Sequence, residues 1–343
     1  MKKILSFFFS LSLGVVLLIW VIRFLGWEEI KSAFLIFTGW HGMIILFLTF
    51  LMLFFGMWKW QVILKNQGHK LSHRELLGPY LAGFSLVYLF PMIVLGGEIF
   101  RGYILKEKHA VTRQKAIASI LIDKILELTS FLIAIIVGLF FFFFKTGLPS
   151  RNLGIIFGVV ILFLVLAAAF FYFKIFKRES IARFFNKFLI KKFPNQESLI
   201  EIENEVFHFF KFKKKGLWQA SALAFLRVAV TWLRCWVLIL FLGKNVGIFS
   251  ALSVLGFYYF VLMIPIPTAL GSHEIIQTFS FQALGIGASI APAFTMIQRA
   301  AELILAFIGL AIFMKLGMRL LRVALFRKVE GLMNKGRFFD TIR

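Results

Sequence analysis

Nine charged residues lie inside or beside otherwise apolar stretches of this sequence. A charged side chain in a bilayer is costly, so such residues usually face a partner or a water-filled cavity on a substrate path. Arginine and lysine bind phosphate, whereas carboxylates bind amines and hydroxyl groups. The set therefore indicates a site for a zwitterionic or amino-bearing phosphorylated head group. The nine residues are Glu98, Asp123, Lys124, Glu127, Arg227, Arg234, Glu274, Arg299 and Glu302.

The spacing of these residues places several of them on common helix faces, because residues three, four or seven apart lie on the same side of a helix. The pairs with this spacing are Lys124 and Glu127, Arg299 and Glu302, Asp123 and Glu127, and Arg227 and Arg234. They are either internal ion pairs that hold helices in register or groups that contact a substrate. We predict a substrate-binding set of Glu98, Arg101, Asp123, Lys124, Glu127, Arg234, Glu274, Arg299 and Glu302.

Two apolar segments are interrupted by residues that end helices, in VYLFPMIVLGGEIFR (87–101) and IPIPTALGSHEIIQ (264–277). A bilayer tolerates broken backbone only where protein or a watery cavity covers the freed polar groups. Each segment therefore predicts a re-entrant helical hairpin, at about 76–100 and about 248–285. We interpret His273 as a hydrogen-bonding cap in preference to a proton relay. The predicted tip or hinge residues are Pro91, Gly96, Gly97, Pro265, Pro267, Gly271 and His273.

Composition places the protein in a membrane. The 343 residues are 60% hydrophobic and 17% aromatic, with a mean hydropathy of +0.89, which is more apolar than a soluble domain tolerates. Several runs approach the roughly 20 apolar residues of a spanning helix. We interpret the first run as a retained span, because no small-residue cleavage site follows it. The clearest runs are residues 4–22, 125–144, 153–173 and 217–242.

Several function classes lack support in the sequence. The single cysteine, Cys235, excludes an intramolecular disulfide and gives no basis for a cysteine metal site. No close pair of histidines lies on a predicted helix wall, so we predict no metal. Nucleotide-binding and hydrolase motifs are also missing. We therefore predict a protein that is not an enzyme and that uses no cofactor.

The charge distribution predicts the orientation of the chain. Lys and Arg number 39 against 16 Asp and Glu, a net charge of +23. Most of the basic residues lie at the N-terminus and in segments 59–74, 101–115, 174–216 and 315–343, on one side of the predicted membrane. This asymmetry is typical of cytoplasmic loops. It predicts a multi-pass protein of the cytoplasmic (inner) membrane with both termini in the cytoplasm, and it argues against a nucleic-acid partner.

The two halves of the sequence resemble each other. Pro91 and Glu98 recur 176 residues later at Pro267 and Glu274. The first hairpin must open to the inside to keep its basic flank there, and the second then opens to the outside. We predict an all-α polytopic membrane protein built as an inverted-topology repeat, with about six full spans and a binding site near the midplane. The predicted domains are membrane repeat 1 (1–173), a basic cytoplasmic linker with an amphipathic helix on the inner leaflet (174–216), membrane repeat 2 (217–322) and a basic cytoplasmic tail (323–343).

Segments 96–128 and 265–304 resemble the lysylphosphatidylglycerol synthase transmembrane-region family. The resemblance implies a flippase-like module for phospholipids with modified head groups or related lipid-linked substrates. The second hairpin departs from the family pattern, with Pro267-Thr268-Ala269 and His273-Glu274 in place of Pro-Gly-Gly and Arg-Glu. The soluble synthase domain is missing, so lipid synthesis is not implied. The residues that match the family are Gly97, Glu98, Arg101, Asp123, Lys124, Glu127, Gly271, Glu274, Arg299 and Glu302.

These observations predict a lipid flippase-like transporter that moves a head group through a polar cleft at the midplane. The expected partners are membrane lipids, either anionic or amino-modified phospholipids or polyprenyl-linked lipids. A separate lipid-modifying enzyme and a homo-oligomer are further candidate partners. Two alternatives stay open: an ion-coupled carrier of a small solute, and a non-transporting subunit of a lipid-modifying system.

Overall fold

A computed structural model describes residues 39–89, 96–147, 151–177, 196–211, 215–263 and 272–340. The described residues form α-helices and one short 3-10 turn, Ala288–Ile290. The predicted first span, 4–22, lies outside them, as do the predicted tip residues Pro91, Pro265, Pro267 and Gly271.

Ten helices follow one another along the described part of the chain. They are α1 (Trp40–Asn66), α2 (His73–Leu89), α3 (Gly96–His109), α4 (Arg113–Thr146), α5 (Arg151–Lys177), α6 (Gln196–Phe209), α7 (Lys215–Phe241), α8 (Ile248–Met263), α9 (Ser272–Ala283) and α10 (Ala291–Asp340). Among the described residues, α1, α4, α7 and the stretch Ala288–Met318 are long and apolar enough to cross a membrane, while α8 and Ile161–Lys174 of α5 are shorter apolar helices. The predicted all-α membrane fold is confirmed.

The first interrupted segment forms two helices that pack on each other. Ser72 caps α2 through its backbone N–H and hydroxyl, which donate to the Glu75 carboxylate at 2.7 Å. The backbone hydrogen bond in particular lowers the pKa of Glu75. Helix α2 ends at Leu89, and α3 begins at Gly96. Gly96 and Gly97, which we predicted as tip or hinge residues, therefore lie in the first turn of α3.

Gly97 is needed where α2 and α3 cross. A Cβ atom at this position would overlap the carbonyl oxygen of Gly83 and lie 2.9 Å from Val87. Gly83 in turn faces the side chain of Arg101, one turn further along α3. Gly97 contacts Val87 and Gly83, whereas Arg101, later in α3, contacts Gly83, which is earlier in α2. The two helices are therefore antiparallel.

The second interrupted segment has the same arrangement in α8 and α9. The amide Nε2 of Gln277 donates to the carbonyl of Val254 at 3.4 Å, and the rings of His273 and Tyr258 are 5.5 Å apart. These contacts again run in opposite directions along the two helices. Both hairpin-like pairs thus contain antiparallel helices that meet near the interruption.

Matched helices of the two halves also run antiparallel. Helix α1 packs on α7 with His41 beside Phe241 at 4.3 Å and with Arg234 donating to Thr49 at 3.2 Å. Because α1 and α7 occupy equivalent places in the two halves, their opposite directions are those of an inverted repeat.

Each broken hairpin packs against the span that follows the hairpin of the other half. Helix α8 crosses α4 where Gly256 and Gly138 meet, and a Cβ atom on Gly138 would lie 2.6 Å from the Gly256 Cα atom. Helix α2 crosses α10 where Gly309 meets the backbone of Leu81. Glycine allows the backbones to approach closely at both crossings, so the two halves interlock.

Helix α6 lies in the predicted linker, and its apolar face is covered by protein. Ile202 and Val206 of α6 are buried with Ile122 and Leu126 of α4 in one apolar cluster. We had expected this face to rest on the inner leaflet. Instead, apolar residues of α4 cover this face of α6 and bury it within the protein.

The inverted arrangement predicts the labelling of two introduced cysteines from opposite sides of the membrane. Lys108 lies in the last turn of α3, beside the start of α2. In this part of α2, Gly78 faces Ile312 of α10. Ser289 lies at the other end of α10, just before its first residue. At about 1.5 Å per residue, Ile312 and Ser289 are roughly 30 Å apart along the axis, which is the thickness of the hydrocarbon core. The measurement is maleimide labelling of Lys108→Cys and Ser289→Cys in intact and opened vesicles, in a Cys235→Ala background. Labelling of both from the same side contradicts the inversion.

Candidate functional site

A chamber of about 500 Å³ lies between the two hairpins and the spans around them. One part of its wall is charged, and most of the rest is made of Leu, Phe, Met, Val and Tyr side chains. The charged lining residues come from α3, α4, α7 and α10: Glu98, Arg101, Asp123, Lys124, Glu127, Arg227, Arg299 and Glu302.

Asp123 of α4 holds two cations. Its carboxylate lies 2.9 Å from Lys59 Nζ and accepts from both terminal nitrogens of Arg101 at 3.1 and 3.2 Å. The Arg101 guanidinium also lies over the rings of Trp60 and Tyr80, at 4.9 and 5.1 Å, which adds cation–π attraction. This cluster fixes α1, α3 and α4 relative to one another.

The positions of Lys59 and Arg101 differ from those that the charge distribution predicted. Both lie in segments that we had assigned to the cytoplasmic face, yet Lys59 is completely buried and Arg101 is 5% exposed. Their burial follows from their pairing with Asp123, because an unpaired charge in this environment would be strongly destabilising.

Lys124 connects two glutamates at the chamber wall. Its ammonium lies 2.9 Å from Glu98 and 3.2 Å from Glu127. Glu127 also pairs with Arg227 of α7, so this network joins the two halves. The Lys124 side chain is 38% exposed, compared with 7% for Glu98 and 11% for Glu127. The accessible group of the network is therefore a cation.

Glu302 of α10 is held by a third group of residues. Arg234 donates to its carboxylate at 2.9 Å, and Tyr258 donates to the same oxygen at 3.2 Å. Arg234 is completely buried and lies behind the chamber wall, where it supports Glu302. Arg299 lines the chamber, and its backbone carbonyl accepts from Tyr88 at 3.0 Å.

The structure brings most of the predicted site residues together. The chamber lining includes Glu98, Arg101, Asp123, Lys124, Glu127, His273, Arg299 and Glu302. Arg234 is buried behind the lining, and Gly96 and Gly97 lie in the first turn of α3. Glu274 belongs to α9, and its side chain is outside the described part of the structure.

Sequence analysis left two central cations out of the predicted set. Arg227 was identified as an interior charge but was not assigned to the site, and Lys59 was assigned to the cytoplasmic face. The sequence carries a signal for Lys59, since the apolar residues Val62, Ile63 and Leu64 follow it. They show that the apolar helix continues past the lysine to Asn66.

Three apolar residues of the chamber wall are strongly exposed. Leu128 of α4 is 51% exposed, Leu262 of α8 is 46% exposed and Val87 of α2 is 37% exposed. The apolar part of the chamber wall therefore includes large side chains that protein does not cover.

Comparisons with known proteins agree with the membrane fold. A family model described as the lysylphosphatidylglycerol synthase TM region matches residues 4–309. The UPF0104 membrane protein MJ1595 of Methanocaldococcus jannaschii is 25% identical over 260 residues, covering 72% of this chain and 76% of the relative. The UPF0104 membrane protein PH1989 of Pyrococcus horikoshii is 23% identical over 258 residues, covering 70% and 76%. No solved structure matches the chain significantly.

Proposed function

This chain belongs to the lysylphosphatidylglycerol synthase transmembrane-region family, and on that premise we propose that it is a transporter that moves lipids between the two leaflets of a cytoplasmic membrane. The observation that carries the proposal is the chamber itself. It combines a cluster of charged residues with an apolar wall in which large side chains are exposed.

The charged wall suits a polar head group. A head group that crosses a bilayer loses its hydration, and this loss is offset where charged and hydrogen-bonding side chains take the place of water. Lys124 and Arg227 offer cationic donors to a phosphate, while the tyrosines add hydroxyl groups. The chamber is large enough for such a group, with a volume of about 500 Å³.

The apolar wall suits the lipid tails. A lipid whose head group occupies the chamber must keep its chains in hydrocarbon, because exposing them to water would be unfavourable by about 0.8 kcal/mol per CH₂. Leu128 and Leu262 line the chamber and are strongly exposed, and in the proposed mechanism they form a lateral opening through which the tails extend. A carrier of small solutes would need closed walls at this depth.

The inverted repeat supports a mechanism in which the two antiparallel helix pairs open the chamber to each side of the membrane in turn. The two antiparallel pairs, α2–α3 and α8–α9, approach the chamber from opposite faces, so opening one pair and then the other would expose the site to each side in turn. A head group that binds Lys124 competes with Glu98 and Glu127 for its ammonium. This competition would loosen the contact between α3 and α4 when substrate is present.

The proposal predicts that a plug in the chamber stops lipid transfer. Thr295 lines the chamber and is 4% exposed, so Thr295→Trp fills the space that a head group needs. The measurement is the transfer of fluorescent phospholipid between leaflets of liposomes that contain the purified protein. We expect a loss of roughly tenfold or more, since raising a barrier by about 1.4 kcal/mol already slows a rate tenfold.

The matched control is Thr146→Trp, the same substitution at an exposed position near the end of α4. We expect it to transfer lipid as the unmodified protein does. Transfer at the rate of protein-free liposomes by the unmodified protein would overturn the proposed function. Equal rates for the Thr295 and Thr146 variants would remove the chamber from the transport path.

A further inference from the structure

The charges around the chamber do not cancel. The described side chains of the three charged groups and the chamber wall include six cations and four carboxylates. The cations are Lys59, Arg101, Lys124, Arg227, Arg234 and Arg299. The carboxylates are Glu98, Asp123, Glu127 and Glu302. Even with Glu274 of α9 counted as a fifth carboxylate, the cations exceed the carboxylates.

The excess has a visible origin in the ion pairs. Asp123 alone balances both Lys59 and Arg101, at 2.9 and 3.1 Å. Lys124 and Arg227, by contrast, are balanced by Glu98 and Glu127. A buried carboxylate can neutralise only one positive charge, so sharing leaves positive charge in a region of low dielectric, where it is unfavourable without a counter-charge.

The groups that a substrate can reach have the same bias. The Lys124 side chain is 38% exposed, whereas the four carboxylate side chains are between 2% and 13% exposed. Each of these carboxylates also has a cation within 3.2 Å. The most exposed charged group of this network is therefore the Lys124 ammonium, and a head group that enters the chamber meets it first.

From this excess and this exposure we propose that the chamber selects a head group with net negative charge, in which the phosphate is not balanced by an amine. The inference deepens the proposed function and rests on it. It separates this chain from the amino-modified head groups that its family resemblance implies. The expected order of transfer rates follows the charge of the head group, with anionic lipids first, zwitterionic lipids second and cationic lipids last.

Transfer of four labelled lipids with identical chains tests this order in liposomes of the full chain: phosphatidate, phosphatidylglycerol, phosphatidylcholine and lysylphosphatidylglycerol. We expect phosphatidylglycerol to move roughly tenfold faster than lysylphosphatidylglycerol, because a unit charge near an unbalanced charge is worth more than a kcal/mol at protein dielectric. Uptake of radiolabelled inorganic phosphate, measured in parallel, distinguishes a lipid head group from free phosphate as the source of the anion.

Two variants separate charge from structure. Lys124→Gln removes one positive charge and should lower the ratio of phosphatidylglycerol to phosphatidylcholine transfer several-fold. The double variant Lys124→Gln with Glu98→Gln removes the same ammonium but keeps the net charge, so its ratio should fall clearly less than that of Lys124→Gln alone. A ratio that falls equally in both variants would overturn the charge argument.

The outcomes distinguish this inference from the proposed function. Equal transfer of all four lipids above the protein-free rate overturns the charge preference and leaves lipid transport standing. Faster transfer of lysylphosphatidylglycerol or phosphatidylcholine also overturns it. If no lipid moves faster than in protein-free liposomes while phosphate enters, lipid transport is wrong and the anion preference is supported.

Discussion

Asp123→Asn should destabilise the protein by about 3–5 kcal/mol, the loss typical of leaving a buried ion pair without one partner. Lys59 is completely buried and Arg101 nearly so, and Asp123 lies 2.9 and 3.1 Å from them. An amide cannot balance either charge, so both cations would remain unpaired inside the protein. The measurement is the thermal unfolding midpoint in detergent, together with the yield of folded protein.

A second substitution shows whether the unpaired charge is the cause. Asp123→Asn combined with Lys59→Met removes one cation with the carboxylate and replaces it with a side chain of similar length. We expect this double variant to recover part of the lost stability, since well-packed apolar replacements of buried ion pairs are often tolerated. An unfolding midpoint for Asp123→Asn equal to that of the unmodified protein would contradict the structural role of the cluster.

Gly97→Val should prevent α2 and α3 from packing. A Cβ atom on Gly97 would overlap the Gly83 carbonyl oxygen, and this neighbour is backbone, so no side chain can move aside. The two helices would have to separate at the place where Glu98 and Arg101 enter the chamber. We expect loss of lipid transfer and a lower unfolding midpoint, by an amount comparable to overpacking a core, about 1–3 kcal/mol or more.

Gly102→Ala on the same helix is the control. Its Cβ atom would meet only the end of the Ile120 side chain, at 3.2 Å, so a small rearrangement accommodates it. Alanine also favours a helix interior over glycine by about 1 kcal/mol. The close crossing is disproved if Gly97→Val unfolds and transports like Gly102→Ala.

The sequence predicted the fold class well because the bilayer imposes strong local rules. Long apolar runs must be helices, since a chain in hydrocarbon satisfies its own backbone hydrogen bonds. The observed spans α1, α4 and α7 follow from this rule, whereas the ends of α2 at Leu89 and of α8 at Met263 follow from the prolines two residues further on. The position of α6 did not follow, because an amphipathic pattern shows that a helix has an apolar face and does not show which surface covers it.

The sequence predicted most of the residues that line the candidate site, but only some of the ion pairs that they form. Charged residues in apolar runs identified most of the chamber lining. Spacing correctly indicated the contact of Lys124 with Glu127, which are three residues apart. It gave no indication that Arg227 would join Glu127 from 100 residues away. It also assigned Arg234 to the substrate, whereas the structure places it behind Glu302.

The sequence by itself determined that this protein is a helical membrane protein, where its apolar segments are interrupted, and most of the charged residues that line the chamber. These properties depend on apolar length, proline, glycine and duplication along one chain. Only the tertiary structure decided which charges meet, that Lys59 and Arg101 share Asp123, and that the cations exceed the carboxylates. The physical reason is that such contacts depend on the rotation and relative depth of helices distant in sequence, which periodicity within one helix does not specify.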